Sequence, residues 1–253
     1  MTRDEWTPRR RFFVPALGSQ HVTLDETEAH HAAHVLRLKV GAAVELFDGQ
    51  GGRAVGEVTE VRRGSLSVEI DSRSEAMPRP RPALHLGFAV PKGKRLDWLL
   101  EKATELGAAS LCPVVFERSV AGGKELSLAK QERWLGHCIS AAKQCGLDWL
   151  PEIRPARRLA EFLVEFGGKD WLGLLGDAGP STQSLPAAFA SRDQRDVCIL
   201  VGPEGGLSDA ERQEALAAGF IPVRLGQTIL RIETAALALL AGASAICGHG
   251  HEE

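Results

Sequence analysis

The chain has 253 residues, of which 44% are hydrophobic and 25% charged, and its formal net charge is −3. This is the composition of an ordinary globular protein with one or two domains, and it offers no overall basic excess for binding nucleic acid. No apolar run reaches the roughly 18 residues of a membrane span, and no apolar segment follows the charged N-terminus as in a secretory signal, so we expect a cytoplasmic protein.

Three arginines near the N-terminus form the only dense cluster of positive charge. Arg9, Arg10 and Arg11 are followed directly by Phe12 and Phe13. The cluster is either a contact for RNA phosphates or a solvated arm. The two phenylalanines either stack on bases or pack into a core, and we expect packing for at least one of them.

Residues 1–77 have the pattern of short strands around a small core. Apolar and polar residues alternate in three runs, and glycine-containing turns at residues 48–52 and 63–64 separate them. The pattern predicts a small antiparallel β-barrel or sandwich, interrupted by one helix from residue 25 or 27 to residue 38 and closed by Gly41. The histidines at 30, 31 and 34 lack the His-Glu-x-x-His spacing, so no metal site is expected. The apolar positions are Val44, Leu46, Val55, Val58, Val61, Leu66, Val68 and Ile70.

A proline-rich segment at residues 77–82 divides the chain. Its three alternating prolines favour an extended spacer, so we expect one domain at 1–77 and a second at 83–248. Strands and helices alternate in the second domain, which predicts a mostly parallel sheet covered by helices. The predicted strands are 84–90, 111–116, 171–175, 197–201 and 221–225, and the predicted helices are 94–106, 131–145 and 234–247.

Three of the predicted strands end in glycine-rich segments, at residues 176–179, 202–206 and 225–227. Ligands of open parallel sheets bind beyond the carboxyl ends of the strands. The loop at 202–206 leads into Ser208 and Glu211, which have the spacing of a helix capping box. This loop is either a preorganised binding loop or a simple turn. It matches neither the dinucleotide nor the nucleoside triphosphate fingerprint.

Two charged residues stand at the entry of the apolar segment near the C-terminus. Arg231 and Glu233 lie where the chain becomes almost wholly apolar, and charges so close to a buried helix are expected to be paired or functional. Alternatively, Glu233 only complements the positive end of that helix.

Taken together, these motifs resemble the RsmE family of bacterial small-subunit ribosomal RNA uridine-N3 methyltransferases, in the SPOUT superfamily. The resemblance runs from residue 9 to about 241 in unbroken order. This chain departs from the usual pattern at Lys143, Leu147 and Ile232. The motifs are Arg10-Arg11-Phe12-Phe13, His30-His31 with Val35-Leu36-Arg37, residues 94–98 and 102–107, Glu117-Arg118-Ser119, Gln144-Cys145-Gly146, residues 202–206, and Leu230-Arg231-x-Glu233-Thr234-Ala235.

The resemblance implies a PUA-like RNA-binding barrel at 1–77 and a homodimer whose second domain carries a deep trefoil knot, formed by the chain around residues 197–247. The knot would bring the three glycine-rich strand ends together as one pocket for S-adenosylmethionine. The residues expected to hold this cofactor are Leu175, Gly176, Val201, Gly202, Pro203, Gly205, Gly206, Leu225, Gly226, Ile229, Leu230 and Thr234.

The same resemblance implies 16S ribosomal RNA as the substrate. Arg118 or Arg231 would stabilise the developing negative charge on the uridine, and Glu204 or Glu233 would accept its proton. RNA phosphates would contact Arg9, Arg10, Arg11, Arg37 and Lys39. Two alternatives stay open: another SPOUT enzyme that modifies a different ribosomal or transfer RNA site, and a non-catalytic RNA-binding assembly factor.

Overall fold

The computed structural model describes residues 10–119, 127–179, 181–190 and 195–248. The chain forms two compact units, one made of Met1–Arg79 with Ala142–Leu150 and the other of Pro80–Ala141 with Pro151–Glu253. The sequence boundary at residues 77–82 coincides with the first change of unit. The predicted boundary assigns residues 142–150 to the second domain, but the structure groups Ala142–Leu150 with the first unit.

The first unit contains a five-stranded sheet in the order β1-β3-β4-β5-β2. Its neighbours pair antiparallel except β1 and β3, which are parallel. Because side chains alternate between the two faces of a strand, the predicted apolar positions of β3 and β5 all reach the core, namely Val44, Leu46, Leu66, Val68 and Ile70. The strands are β1 (Arg11–Phe13), β2 (His21–Leu24), β3 (Ala43–Phe47), β4 (Arg53–Arg62) and β5 (Ser65–Ser74).

Strand β4 departs from the simple alternation. Val58 is buried, but Val61 is 36% exposed and Val55 is only half-buried. The register between β4 and β5 shifts between Val55 and Gly56 and again between Val58 and Glu60. Each irregularity changes which side chains face the core, which explains why Val55 and Val61 are less buried than Val58.

The predicted helix of the first unit is shorter and less regular than expected. Helix α1 (Glu26–His30) begins at Asp25, whose carboxylate accepts the backbone N–H of Glu28 at 2.8 Å, and a π-helical turn, His31–Val35, continues it. The helix ends where Arg37 adopts a positive φ of 51°, before Gly41. Left-handed backbone stops a helix, so Arg37, rather than Gly41, closes it.

The second unit contains a sheet in the order β12-β10-β11-β6-β7-β8, with β9 also paired to β7, and every pair is parallel. The predicted parallel sheet with covering helices is therefore confirmed. The strands are β6 (Leu84–Phe88), β7 (Ala108–Val115), β8 (Glu152–Ile153), β9 (Arg157–Arg158), β10 (Trp171–Gly176), β11 (Asp196–Val201) and β12 (Ile221–Val223).

Six helices lie in the described residues after β6, and the last residues of α3, from Ala142, belong to the first unit. Within the described parts of the chain, no helix is both long and apolar enough to cross a membrane. The sequence predicted α2, α3 and α7, and the capping box of Ser208 and Glu211 predicted the start of α6. The helices are α2 (Lys94–Glu105), α3 (Leu128–Cys145), α4 (Leu159–Phe166), α5 (Leu185–Ala188), α6 (Asp209–Ala217) and α7 (Ile232–Cys247).

Glycines inside the strands allow aromatic rings to pack directly on the sheet. A Cβ on Gly87 would lie 2.3 Å from the Phe162 ring, and one on Gly173 would lie 2.9 Å from the Phe220 ring. Both distances are far shorter than a carbon–carbon contact. Strands β6 and β10 therefore need glycine at these positions, so that Phe162 of α4 and Phe220, which follows α6, can pack on the sheet.

The five cysteines are all free thiols. Burial raises the pKa of Cys112 to about 12 and that of Cys138 to about 11. Because only the thiolate is an effective nucleophile, these two residues are inert at neutral pH and serve as small apolar side chains.

Candidate functional site

Three loops of the second unit meet at one edge of its sheet. Strands β12, β10 and β11 are parallel neighbours, so their carboxyl ends lie side by side. The loops that follow them enclose a cavity of about 320 Å³. This volume lies within the range of small-molecule sites.

Most residues predicted to hold a cofactor surround this cavity, and three do not. Leu175 is fully buried within β10, Gly226 does not reach the cavity, and Thr234 lines a neighbouring cavity instead. The carbonyl of Gly226 accepts a hydrogen bond from Arg224 Nε at 2.6 Å. The nine that line the cavity are Gly176, Val201, Gly202, Pro203, Gly205, Gly206, Leu225, Ile229 and Leu230.

The loop after β11 has a defined turn. The N–H of Gly206 donates to the carbonyl of Pro203 at 2.8 Å, and Glu204 lies exposed at the tip. Gly206 has a φ of +69°, which favours glycine. A Cβ on Gly202 would lie 2.3 Å from Leu207 Cδ1, a side chain that lines the cavity. The glycines thus set both the path of the loop and the width of the cavity.

The predicted capping box at the start of α6 is confirmed. Ser208 Oγ accepts the N–H of Glu211 at 3.4 Å, and Glu211 Oε2 accepts the N–H of Ser208 at 2.9 Å. The second oxygen, Glu211 Oε1, accepts the N–H of Glu117 at 2.7 Å. One buried carboxylate therefore joins the segment after β7 to the loop after β11, a link that sequence spacing alone did not indicate.

Two arginines hold the cavity loops. Arg118 Nη1 donates to the carbonyls of Gly205 at 3.0 Å and Leu207 at 3.5 Å. Arg212 Nε donates to Asp177 Oδ2 at 2.7 Å, in the loop after β10. Arg118 was predicted to stabilise charge on the substrate, but the structure gives its guanidinium a contact with the loop backbone.

A second, more open cavity of about 590 Å³ adjoins the first. Ile229 and Leu230 line both cavities. The predicted residues Arg231, Glu233 and Thr234 line only the second. It is completed from α2 by Lys94, Arg95 and Trp98.

Arg95 lies between the two candidate proton acceptors. Its Nη1 is 3.7 Å from Glu204 Oε1 and 3.9 Å from Glu233 Oε1. Glu233 is only 5% exposed, and its Oε2 has no hydrogen-bond partner among the described residues. Sequence reasoning did not select Arg95 as a site residue. Two signals pointed to it: residues 94–98 are one of the motifs of the family resemblance, and Arg95 lies at the start of α2, after the strand that pairs with β11.

Comparisons with known proteins agree with this architecture. The profile of the RNA methyltransferase domain matches residues 78–244, and that of the RNA methyltransferase PUA domain matches residues 24–71. Ribosomal RNA small subunit methyltransferase E from Synechocystis sp. is 32% identical over 226 residues, covering 89% of this chain and 73% of the relative. The chain belongs to the ribosomal RNA small subunit methyltransferase E family.

Two solved structures extend the comparison with this family. Ribosomal RNA small subunit methyltransferase E from Neisseria gonorrhoeae, bound to S-adenosyl methionine, is 30% identical with a TM-score of 0.82, covering 94% of this chain and 98% of that one. A putative methyltransferase from Legionella pneumophila, in complex with the same cofactor, is 29% identical with a TM-score of 0.82, covering 95% and 97%. The family resemblance inferred from the sequence motifs is confirmed.

The arginine cluster of this family member does not face solvent as a unit. Arg11 is buried, pairs with Glu45 at 3.2 Å and with Asp148, and lies 4.2 Å above the Phe47 ring. The predicted contact of Arg11 with RNA phosphate is therefore wrong, because its guanidinium is buried and paired with two carboxylates of the first unit. Phe12 is fully buried, which confirms packing for one of the two phenylalanines. Arg10, Arg37 and Lys39 are exposed, and Arg9 lies outside the described residues.

The departure from the family pattern at Lys143 has a partner in the same unit. Its ammonium lies 2.7 Å from Glu28 Oε2, 3.4 Å from His31 Nδ1 and 5.2 Å above the Phe12 ring. Burial raises the pKa of Glu28 and lowers that of His31. Nothing in the structure explains the departure at Leu147, while Ile232 is buried at the start of α7.

The histidines of the first helix form an aromatic contact. The rings of His30 and His34 lie 4.6 Å apart between centroids. Within the described residues, no three His, Cys, Asp or Glu side chains are placed to hold a metal ion.

Proposed function

We propose that this protein uses S-adenosylmethionine to methylate N3 of a uridine in 16S ribosomal RNA. The observation that carries the proposal is the cavity at the carboxyl edge of β12, β10 and β11, with the Arg95 and Glu233 pair beside it. A small-molecule cavity next to a buried carboxylate and a cation provides a cofactor site and a proton acceptor together. Family membership and the cofactor-bound relative from Neisseria gonorrhoeae support this function.

The first cavity fits S-adenosylmethionine. Its walls combine apolar side chains, such as Leu207 and Leu239, with exposed backbone of the glycine loops, which suits an adenosine with a polar amino-acid tail. Gly202 and Gly205 let the backbone approach a ligand closely. When bound, the cofactor supplies a methyl group activated by its sulfonium charge.

The residues of the second cavity prepare the uridine. N3 of uracil is a weakly acidic imide nitrogen, and we assign the acceptance of its proton to Glu233, whose Oε2 is buried and has no partner among the described residues. The negative charge left behind spreads over the two carbonyl oxygens of the base. Arg231 and Arg95 line the same cavity and stabilise that charge. Holding the reactants in position supplies a large part of the acceleration, up to about 7–11 kcal/mol.

Glu204 has a different role in this proposal. Its side chain is 42% exposed and lies 3.7 Å from Arg95 Nη1, so water solvates it and it is less suited to remove a proton. Glu204 instead orients Arg95, and Arg118 holds the adjoining loop through Gly205.

The larger architecture is also part of the proposal. We assign residues 83–248 to a SPOUT methyltransferase domain whose chain forms a deep trefoil knot. The position of β10 between two strands that follow it in the chain supports this assignment. Residues 1–77 would be the PUA-like RNA-binding domain, which the profile match at residues 24–71 supports. A homodimer and a location in the bacterial cytoplasm, with the ribosome, complete the proposal.

Reverse transcription of ribosomal RNA tests the reaction. Methylation at N3 removes the Watson–Crick donor of the base, so reverse transcriptase halts beside the modified uridine. RNA from a strain that lacks the protein should lose one stop in 16S RNA, and the parent gene should restore it. An unchanged pattern of stops would refute the proposed substrate.

The two glutamates are distinguished by the same assay. Glu233→Gln should restore the stop weakly or not at all, because an amide does not accept the proton, whereas Glu204→Gln should restore most of it. Calorimetry should show that both variants still bind S-adenosylmethionine. Full restoration by Glu233→Gln would remove that residue from the reaction.

A further inference from the structure

The buried carboxylate of Glu233 lacks a donor. Its Oε2 has no hydrogen-bond partner within the described residues, although the residue is only 5% exposed. Arg95 Nη1, at 3.9 Å from Oε1, is too distant for a hydrogen bond. A buried acceptor without a donor destabilises a protein unless a water molecule or a ligand supplies the donor. The second cavity, which Glu233 lines, therefore favours a ligand with an N–H or O–H group.

Two cations of the same cavity define the ligand further. Arg95 and Arg231 line the cavity together with Glu233, and a guanidinium is a donor with no acceptor. The cavity thus combines one acceptor with two donor side chains. The imide edge of uracil has the complementary groups, one N3–H donor and the two carbonyl acceptors O2 and O4. Cytosine presents an acceptor at N3, which a carboxylate repels, and guanine turns its exocyclic amino group towards one of the cations.

An aromatic surface and a further cation complete the cavity. Trp98 is 46% exposed, and it follows Lys94 and Arg95 by four and three residues on α2, so the three side chains share one face. Indole rings stack on bases without regard to sequence, and lysine pairs with phosphate. Within the described residues of the cavity wall, Lys94, Arg95 and Arg231 outnumber the single acidic residue Glu233.

We propose that the second cavity binds one unpaired uracil base of the RNA, with Trp98 as the stacking surface and Glu233, flanked by Arg95, as the residue that selects the imide edge. Because Ile229 and Leu230 line both cavities, a base held in this way lies next to the cofactor site. The inference rests on the proposed function, and it assigns base recognition to residues of this chain rather than to pairing within the RNA.

Binding without turnover tests the proposal. The protein, free of cofactor, is titrated with heptanucleotide RNAs that have adenines at every position except a central uracil, cytosine or guanine. We expect the uracil RNA to bind about 10-fold more tightly than the other two, since a well-placed pair of hydrogen bonds discriminates bases by roughly that factor. Tryptophan fluorescence should fall on binding in the parent protein and not in Trp98→Phe.

The variants separate selection from stacking. Glu233→Gln should bind the cytosine RNA with the same affinity as the uracil RNA, because its amide can donate to N3 of cytosine. Trp98→Ala should weaken binding of all three RNAs by about 10-fold and keep the preference for uracil, and Trp98→Phe should restore most of the affinity. Lys130→Ala, at an exposed position on α3, is the matched control and should change neither quantity.

Three results would overturn the proposal. The first is equal binding of uracil and cytosine RNAs, or no binding of any, by the parent protein. The second is an unchanged preference in Glu233→Gln. The third is a Trp98→Ala variant that sediments as a smaller species while it binds RNA normally, which would assign this face to a second copy of the chain. If the protein produces the reverse-transcription stop but does not prefer the uracil RNA, only this inference is refuted. If it prefers the uracil RNA but produces no stop, only the proposed reaction is refuted.

Discussion

Gly206 shows how a single residue determines the shape of the cofactor loop. Its φ of +69° lies in the left-handed region, where a side chain costs about 1–2 kcal/mol. Gly206→Ala should therefore lower the free energy of unfolding by about that amount and raise the Kd for S-adenosylmethionine. Chemical denaturation and calorimetry measure the two effects.

Gly18→Ala is the matched control for Gly206→Ala. An added Cβ at Gly18 meets no atom within 4 Å, and Gly18 is not among the glycines with positive φ. This variant should unfold and bind cofactor like the parent. If both variants behave alike, the left-handed backbone at Gly206 does not matter for the loop.

Individual site residues were predictable where the sequence itself placed them together. Glu204 and Glu233 stood out because each lies beside a glycine-rich or apolar segment. Arg95 did not, because its approach to them depends on the pairing of β6 with β11. Arg11 was misassigned for the same reason, since one of its acidic partners, Asp148, follows 137 residues later.

The contact between α1 and the last turn of α3 depends on the pair Glu28 and Lys143, whose side chains are 8% and 16% exposed. Removing one partner of a buried pair leaves a charge without compensation, which costs about 3 kcal/mol. Lys143→Met should therefore lower the free energy of unfolding by about that amount near neutral pH. Urea denaturation of the variant and parent measures the difference.

The pH dependence of Lys143→Met has a definite sign. Burial already raises the pKa of Glu28, and Lys143 opposes this effect, so the variant should raise the pKa of Glu28 further. A carboxyl group with a raised pKa holds its proton more tightly in the folded state, so stability increases as pH falls. Loss of the ammonium also removes one cause of the lowered pKa of His31, which acts in the same direction.

The deficit of Lys143→Met should thus shrink as the pH falls from neutrality towards the ordinary pKa range of a glutamate. Glu28→Gln combined with Lys143→Met is the control, since it leaves no buried carboxylate and should show a much smaller dependence on pH. A deficit that grows on acidification would contradict the assignment of the pair.

Among the elements, segments with a clear apolar run were predictable, including the three-residue strand β12, and several short segments without one were not. Helix α2 and the strands β6, β10 and β11 have enough apolar positions to reveal their period. Helix α4, with eight residues, and the two-residue strands β8 and β9 do not. The π-helical turn at His31–Val35 was also missed, because its apolar positions suit an ordinary helix equally well.

For the molecule as a whole, a net charge of −3 requires RNA affinity to arise from a local surface. We assign phosphate contacts to Arg10, Arg37 and Lys39, which are exposed in the first unit. Binding of ribosomal RNA fragments should weaken steeply with added salt, because phosphate contacts release counterions. Replacing all three residues by Gln should reduce the slope of log K against log salt by about 2.

Fluorescence anisotropy at several salt concentrations gives this slope. The control is a double variant in β9 of the second unit, Arg157→Gln with Arg158→Gln. It has a comparable loss of charge and should leave the slope almost unchanged. A triple variant with the slope of the parent would place the RNA elsewhere on the protein.

The order of strands has a consequence for how the protein is made. Strands β6 and β7 follow one another closely and pair directly, but β10 lies between β11 and β12, which the ribosome synthesises later. At about 5–20 residues per second, the apolar strand β10 waits for seconds before either neighbour exists, with both edges open to other chains. Nascent chains halted at a length that exposes β10 while β11 is still inside the ribosome should therefore bind chaperones, and the cofactor can first bind only when β12 has left the ribosome.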